Sequence, residues 1–166
     1  RHEIEPVVQE VLESQIFIGG PKVAALESRC AEYLRMPHAV GCSNGSDAII
    51  LALDALGIGP GDEVIVPTFT FFSTAGSVSR VGAKPVFADI DPATYQIDPV
   101  SVRTVLDSRP KGAVKAIIPV HLFGQACDLE AIMAIAREHD LPVIEDAAQA
   151  IGTEDVHGRR VGRSEE

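Results

Sequence analysis

Tryptophan is absent from the 166-residue sequence, aromatic residues make up only 5% of it, and there are only three cysteines. Cys30, Cys42 and Cys127 are an odd number and lack the close spacing of zinc ligands. The sequence therefore predicts neither a disulfide-stabilised secreted scaffold nor a structural metal site. Sparing use of cysteine is typical of the reducing cytoplasm, and we expect a cytoplasmic protein without a metal ion.

Long apolar runs and a net positive charge are also missing. No apolar run approaches the ~18 residues of a membrane span, and residues 1–6 do not begin an apolar signal-peptide core. The net charge of −10 disfavours nucleic acid or an anionic membrane as the main partner. What remains is 46% hydrophobic and 23% charged residues, a composition typical of one globular domain.

Helical and strand patterns alternate along the chain. Amphipathic spacing predicts two helices near the start of the chain, at 6–14 and 22–35. Further helices are predicted over 48–56, after residue 71 to about residue 81, beginning at residue 98 and beginning at residue 128. Short apolar runs predict five strands, at 38–42, 63–66, 84–89, 114–120 and 141–145. This order predicts an α/β fold with a mostly parallel sheet and helices on both faces. The helix over 48–56 is apolar nearly all round, and we expect it to be buried on most sides.

Polar and aromatic residues collect directly after the predicted strands. They are residues 44–46, residues 68–71, Asp89, His121 and Asp146, one group for each strand. The carboxyl ends of parallel strands lie at one edge of a sheet, where open α/β sheets bind their ligands. The five loops therefore predict a single crevice.

The segment Gly45-Ser46-Asp47 opens a helix and is a candidate anion site. Backbone N–H groups and the positive end of the helix dipole favour a phosphate there, and Gly45 allows it to approach the backbone. Ser46 adds a hydroxyl donor, whereas Asp47 can contribute only its backbone N–H. An ordinary helix cap explains these residues equally well.

Phe71 lies where a strand passes into a helix. An exposed ring at this position could stack on a flat heteroaromatic ligand, although a lone phenylalanine more often belongs to the core. Phe69 and Phe72 compete for the same role, and their spacing does not choose among them.

Glu145 and Asp146 are adjacent at the end of the last predicted strand. If the strand persists, their side chains point to opposite faces, so only one of them can face the crevice. They are therefore not a paired-carboxylate catalytic site. His121 is interpreted as a hydrogen-bonded structural residue.

Six segments carry a family pattern, in order and with family-like spacing: residues 17–23, 43–48, 67–71, 89–92, 119–125 and 145–150. Through these segments nearly the whole chain resembles the DegT/StrS family of sugar aminotransferases, which depend on pyridoxal 5'-phosphate (PLP). The resemblance implies the N-terminal part of the large domain of the aspartate-aminotransferase-like (type I PLP) fold.

The resemblance also implies roles for five residues. Asp146 is the implied catalytic residue, because a carboxylate beside the pyridinium nitrogen keeps that nitrogen protonated and lets the ring act as an electron sink. Phe71 is implied to stack on the ring. Ser46 and Asp47 are implied to contact the phosphate, and Gln149 to lie beside the ring hydroxyl.

The implied reaction moves an amino group in two halves. A donor such as glutamate leaves its nitrogen on the cofactor, and the nitrogen then passes to a keto group on a nucleotide-linked sugar. Members of the family are homodimers of amino-sugar and polysaccharide biosynthesis, with sites at the interface. The chain divides accordingly into an N-terminal helical segment (1–37), a partial PLP-binding large domain (38–162) and an atypical tail (163–166), without the C-terminal small domain.

The chain departs from the family pattern after Gly162. Members of the family continue from there into a segment that holds the Schiff-base lysine, and the four lysines present, Lys22, Lys84, Lys111 and Lys115, do not match that position. We therefore expect a fragment of a full enzyme. The alternatives are a PLP-dependent sugar-nucleotide dehydratase of the same family, with histidine in place of lysine, and a truncated, non-catalytic relic or phosphate-binding α/β domain.

Overall fold

The computed structural model describes residues 1–163, which form two compact units. The first unit comprises residues 1–41 and contains helices α1 (Glu5–Ser14) and α2 (Pro21–Leu34). Both helices carry a proline in the first turn, where its missing N–H removes no helical hydrogen bond. The division at residue 37 stays a prediction, and the tail residues 164–166 lie outside the described residues.

The second unit begins at Cys42 and alternates helices with strands. Asp98 caps α5 by accepting the N–H of Val100 (2.9 Å), and Asp128 caps α6 by accepting the N–H of Ala131 (3.0 Å). No helix within residues 1–163 is long and apolar enough to cross a membrane. The elements are α3 (Gly45–Ala55), β1 (Glu63–Pro67), α4 (Ser73–Arg80), β2 (Lys84–Ala88), α5 (Pro99–Asp107), β3 (Val114–Ile117), a 3₁₀ helix (Leu122–Gly124) and α6 (Leu129–His139).

The three strands form a parallel sheet in the order β2-β1-β3. The predicted strand over 141–145 extends this sheet beside β3 through isolated bridges rather than as a continuous strand. The N–H of Ile144 donates to Ile117 O (3.0 Å), and the N–H of Ile117 donates to Pro142 O (3.1 Å). Pro142 has no N–H to donate to the neighbouring strand, so the pairing does not extend toward the start of this segment.

Both faces of the sheet are buried, as predicted from the continuous apolar strands. Ile65 belongs to a core cluster on the α5 and α6 side, whereas its neighbours Val64 and Val66 belong to a cluster on the α3 and α4 side. Successive strand residues point to opposite faces, so one strand supplies both cores. This two-sided packing fixes the position of the carboxyl edge of β1 and β3.

Two expectations from the sequence are wrong. Residues 38–42 form no strand: Val40 is 83% exposed, and the N–H of Gly41 donates to the Glu27 carboxylate (2.7 Å). A strand needs a paired neighbour, and none of the described strands pairs with this segment. Helix α3 is buried on one face only: Ile49 and Leu53 are buried, whereas Leu51 is about half exposed.

Candidate active site

Asp146 is held by its backbone at the carboxyl edge of the sheet. Its N–H donates to Pro119 O (2.9 Å), and its carbonyl accepts the N–H of His121 (3.0 Å). These two bonds form a parallel bridge between Asp146 and Val120, just beyond β3. The aspartate therefore occupies the position at which open α/β sheets present ligand-binding residues.

The side chain of Asp146 is oriented by two donors. The hydroxyl of Thr74 lies 3.0 Å from Oδ2, and the backbone N–H of Ala148 donates to Oδ1 over 3.3 Å. Each carboxylate oxygen can accept about two hydrogen bonds, so one acceptor position remains on each. The oriented carboxylate can accept a further donor from the cavity that it faces.

A cavity of about 280 Å³ lies at this edge. Four of the five predicted site residues line it: Ser46, Phe71, Asp146 and Gln149. Its other lining residues are Asn44, Gly45, Ile49, Thr70, Ser73, Val120, Leu122 and Ala148. Four of the five predicted loops thus meet, those before α3, after β1, beyond β3 and at Asp146. Asp89, after β2, and the buried His121 do not line this cavity.

The fifth predicted residue, Asp47, lies in the first turn of α3 but does not line the cavity. Its N–H donates to the side chain of Asn44 (3.0 Å), and its carboxylate accepts from Ser43 and from Asn44 Nδ2 (3.0 Å for the latter). Asp47 therefore fixes the cap that precedes Gly45 and Ser46. Its contact with a phosphate stays a prediction.

The structure separates the three phenylalanines after β1. Phe71 lines the cavity and is 71% exposed. The ring of Phe69 instead packs against Tyr95, with centroids 5.8 Å apart, and that of Phe72 lies so close to Gly76 that a Cβ there would be 2.9 Å away. Phe72 is 81% exposed but does not line the cavity, so Phe71 is the one of the three that a ligand in the cavity would meet.

Gln149 is tied to the loop that follows β3. Its side-chain oxygen accepts the backbone N–H of Phe123 (2.9 Å), and Phe123 adopts a left-handed conformation (φ 56°). Phenylalanine rarely adopts such a conformation, so the hydrogen bond that Phe123 donates to Gln149 helps to hold the loop in place. Gln149 thus has a fixed position at the cavity.

Glu145 does not line the cavity and has a different environment. Its Oε2 lies 2.8 Å from His121 Nε2 and accepts the N–H of Gly162 (2.8 Å). His121 is fully buried, and its Nδ1 accepts the N–H of Cys127 (3.2 Å). Because Nδ1 is an acceptor, Nε2 carries the proton and donates to Glu145. This is the environment expected of a structural histidine.

Cys127 completes the buried cluster around His121. Burial raises the pKa of its thiol to about 12, and the charges of Glu145 and Asp128 act in the same direction. Cys127 is therefore a small hydrophobic residue and not a nucleophile. Within residues 1–163 no group of three or more His, Cys, Asp and Glu side chains could hold a metal ion.

Sequence reasoning missed Thr74, and it placed Thr70 at the crevice without giving it a role. Their hydroxyls lie 3.0 Å apart, and Thr74 contacts Asp146 across 72 residues of sequence. The small side chains after β1 indicated a helix, but nothing in their spacing showed that one hydroxyl would reach the aspartate. Only the packing of α4 beside the sheet edge brings them together.

These features define a class of protein: a parallel α/β fold whose carboxyl edge combines a helix N-terminus, an exposed aromatic ring and an oriented carboxylate. Such a combination suits a phosphorylated aromatic cofactor. The profile of the DegT/DnrJ/EryC1/StrS aminotransferase family matches residues 1–166, and the chain belongs to this family.

Two curated relatives and one solved structure illustrate the similarity. The chain is 57% identical over 160 residues to a pleiotropic regulatory protein of Geobacillus stearothermophilus, covering 96% of the chain and 42% of the relative. It is 47% identical over 152 residues to a UDP-2-acetamido-2-deoxy-3-oxo-D-glucuronate aminotransferase of Pseudomonas aeruginosa, covering 92% and 41%. It superposes on S. venezuelae DesV, solved with a ketimine intermediate, with a TM-score of 0.92, 39% identity and coverage of 99% and 43%.

The comparisons confirm the predicted family, the fold class and the cofactor. The structural match shows that the chain has the fold of part of an aspartate-aminotransferase-like enzyme. A ketimine joins the amino form of PLP to a keto group, so the cofactor of the family is PLP. The chain spans about two-fifths of the length of these relatives.

Proposed function

We propose that the chain is the PLP-binding part of an aminotransferase that acts on a keto sugar linked to a nucleotide. The observation that carries the proposal is the carboxylate of Asp146, which two donors orient toward a cavity also lined by Ser46 and Phe71. The relatives support the same reaction, since one of them is an aminotransferase named for a UDP-linked 3-oxo sugar.

The residues around the cavity suit the phosphate, the ring and the ring nitrogen of PLP in turn. Its phosphate suits the N-terminus of α3 and the hydroxyl of Ser46, in a turn that the cap around Asp47 fixes. Its ring suits the exposed face of Phe71, and its ring nitrogen suits Asp146. A volume of about 280 Å³ lies near the lower end of the ~300–1,000 Å³ typical of ligand pockets, as suits a small cofactor.

Each residue has a distinct task in this proposal. When bound, PLP supplies an electron sink for the carbanion that forms at the substrate carbon. Asp146 holds the proton on the ring nitrogen, and Phe71 covers one face of the ring and excludes water from it. Ser46 and the first turn of α3 anchor the phosphate, which keeps the ring in one orientation. Gln149 is placed beside the ring hydroxyl.

We further propose a glutamate-like amino donor, a homodimer and a cytoplasmic location. The donor and the dimer rest on the family resemblance. Cys30, Cys42 and Cys127 are all free thiols, which supports a reducing compartment.

We propose that the covalent PLP lysine lies in a part of the parent protein that this chain does not include. The chain spans only about two-fifths of its relatives, which supports a fragment of a longer enzyme. Within residues 1–163 no lysine lines the cavity. A lysine after the position of Gly162 in the complete gene supports the aminotransferase, whereas a histidine there favours the dehydratase.

The test uses the protein encoded by the complete gene, incubated with PLP. We expect an absorbance band that survives dialysis, and transfer of nitrogen from glutamate to a UDP-linked 3-oxo sugar, detected by mass spectrometry. Asp146→Asn should still bind PLP, although less tightly, because the phosphate and ring contacts remain. It should lower transfer at least about a hundredfold, as expected when one preorganised electrostatic partner is lost.

The matched control is Asp128→Asn, which makes the same charge change at the cap of α6. Asparagine caps a helix as well as aspartate, so activity and stability should not change. Failure to bind PLP, or full activity of Asp146→Asn, would contradict the proposal. Dehydration of the sugar without nitrogen transfer would favour the dehydratase.

A further inference from the structure

The hydroxyls of Thr74 and Thr70 form a series of hydrogen bonds that ends at Asp146. Thr74 is fully buried, and its Oγ1 lies 3.0 Å from Asp146 Oδ2 and 3.0 Å from Thr70 Oγ1. Thr70 in turn lines the cavity. This series of hydrogen bonds therefore connects the cavity wall with the side of the carboxylate that faces α4.

The direction of donation along this series follows from the number of protons. A threonine hydroxyl has one proton, and an ionised carboxylate only accepts. The proton of Thr74 is therefore donated to Asp146, and Thr74 can only accept from Thr70. Both donations run toward the aspartate, and Thr70 retains only acceptor capacity toward the cavity.

Helix α4 is hydrogen-bonded to two parts of the candidate site, the carboxylate of Asp146 and the backbone of Ser46. One turn after Thr74, the hydroxyl of Ser77 is also buried and donates to the carbonyl of Ser46 (3.2 Å). Buried hydroxyls lower stability unless they are hydrogen-bonded, and here each is bonded to a segment of the site. The backbone of the first turn is fixed as well, because the N–H of Thr74 donates to Phe71 O (3.1 Å).

We propose that Thr74 is a positioning residue that orients the carboxylate of Asp146 toward the ring nitrogen of PLP, with Thr70 orienting Thr74. The terminal torsion of aspartate is soft, so the plane of the carboxylate is set by its hydrogen bonds. The bond from Ala148 is the longer of the two at 3.3 Å, which leaves Thr74 as the main constraint. The proposal rests on the proposed function.

The experiment compares Thr74→Val, which keeps the branched shape without the hydroxyl, with Thr74→Ser, which keeps the hydroxyl. The protein from the complete gene is titrated with PLP and with 1-deaza-PLP, which has carbon in place of the ring nitrogen. We expect Thr74→Val to weaken PLP binding about tenfold, the effect of losing roughly one hydrogen bond to a charged group. Thr74→Ser should bind PLP like the unchanged protein, and all three should bind 1-deaza-PLP equally.

The outcomes separate the two proposals. If the unchanged protein binds neither compound, the proposed function fails. If it binds PLP and Thr74→Val keeps the same ratio of PLP to 1-deaza-PLP affinity, the role of Thr74 is overturned while the cofactor assignment stands. Should Thr74→Val fail to fold, as judged by circular dichroism, Thr70→Val decides: about a threefold fall in the same ratio is expected, and an unchanged ratio overturns the proposal.

Discussion

Glu145 and Asp146 are neighbours in sequence and carry the same charge, but the structure uses them for different purposes. The side chain of Glu145 is only 4% exposed and accepts hydrogen bonds from the ring of His121 and from the backbone of Gly162. Asp146 lines the cavity and keeps acceptor positions that face it.

The two carboxylates differ because the pleat of the extended segment points their side chains to opposite faces, and each face offers different hydrogen-bond partners. The face of Glu145 supplies donors from within the fold, so its buried carboxylate is satisfied by the protein itself. The face of Asp146 supplies Thr74 and one backbone N–H, and leaves the remaining acceptor positions open to the ligand that we propose. The first acid therefore stabilises the segment that carries the second.

Glu145→Ala should have the largest effect on stability. It leaves the proton on His121 Nε2 buried without its acceptor and removes a bond to Gly162, which together should lower the free energy of unfolding by about 3 kcal/mol. Asp146→Ala removes a half-buried side chain and should lower it by less than about 1 kcal/mol. Urea unfolding of the complete protein, followed by circular dichroism, measures both.

Glu145→Gln is the control for shape, since it keeps one acceptor oxygen. Its loss of stability should fall between those of the unchanged protein and Glu145→Ala. Equal losses for Glu145→Ala and Asp146→Ala would show that the two carboxylates do not differ in this way.

Much of the contrast could be predicted from the sequence. The pleat alone predicted that only one of the two acids faces the crevice. The family resemblance, and not the pattern, indicated Asp146. The role of Thr74 could not be predicted, because it depends on a contact across 72 residues.

The errors in the fold have a related cause. An apolar run indicates that a segment favours burial, but it does not identify the element that covers it. Residues 38–42 have the composition of a strand without a described partner, and Leu51 lies on the exposed face of α3. The strands β1 to β3 were predictable because their partners and covering helices lie within the same 166 residues.

The rate of thiol labelling should also distinguish Glu145 from Asp146, although the expected effect is smaller. Because the pKa of Cys127 is raised to about 12, its thiol should resist iodoacetamide at about pH 8, whereas the exposed Cys42 should react. Glu145→Gln removes a charge that helps to raise this pKa and loosens the cluster around His121. We expect labelling of Cys127 to accelerate about tenfold, as measured by peptide mass spectrometry.

Asp146→Asn is the matched control for labelling, since it removes the neighbouring charge. It should leave the labelling of Cys127 unchanged, because Asp146 is not among the groups that raise the pKa of this thiol. Faster labelling in both variants would indicate that the two acids belong to one cooperative cluster.

The smallest effect is expected at Asp155, in the turn that leads to Gly162. Its carboxylate accepts the backbone N–H groups of His157 (2.8 Å) and Arg159 (2.9 Å) and pairs with the Arg159 side chain (2.7 Å). Partial burial favours a higher pKa for Asp155, but these bonds outweigh it and lower the pKa below its usual 3.8. A lowered folded-state pKa means that the stabilisation is present above about pH 4 and is lost as the pH falls through the folded value.

Asp155→Asn should therefore lower stability by no more than about 1 kcal/mol at neutral pH, since the ion pair is largely solvent-screened. The difference from the unchanged protein should shrink as urea midpoints are followed from about pH 7 to about pH 3, because protonation removes the same charge from the unchanged protein. A difference that is constant over this range would mean that the charge of Asp155 does not stabilise the turn. Because the turn leads to the residue held by Glu145 and not to the cavity, PLP affinity should stay unchanged.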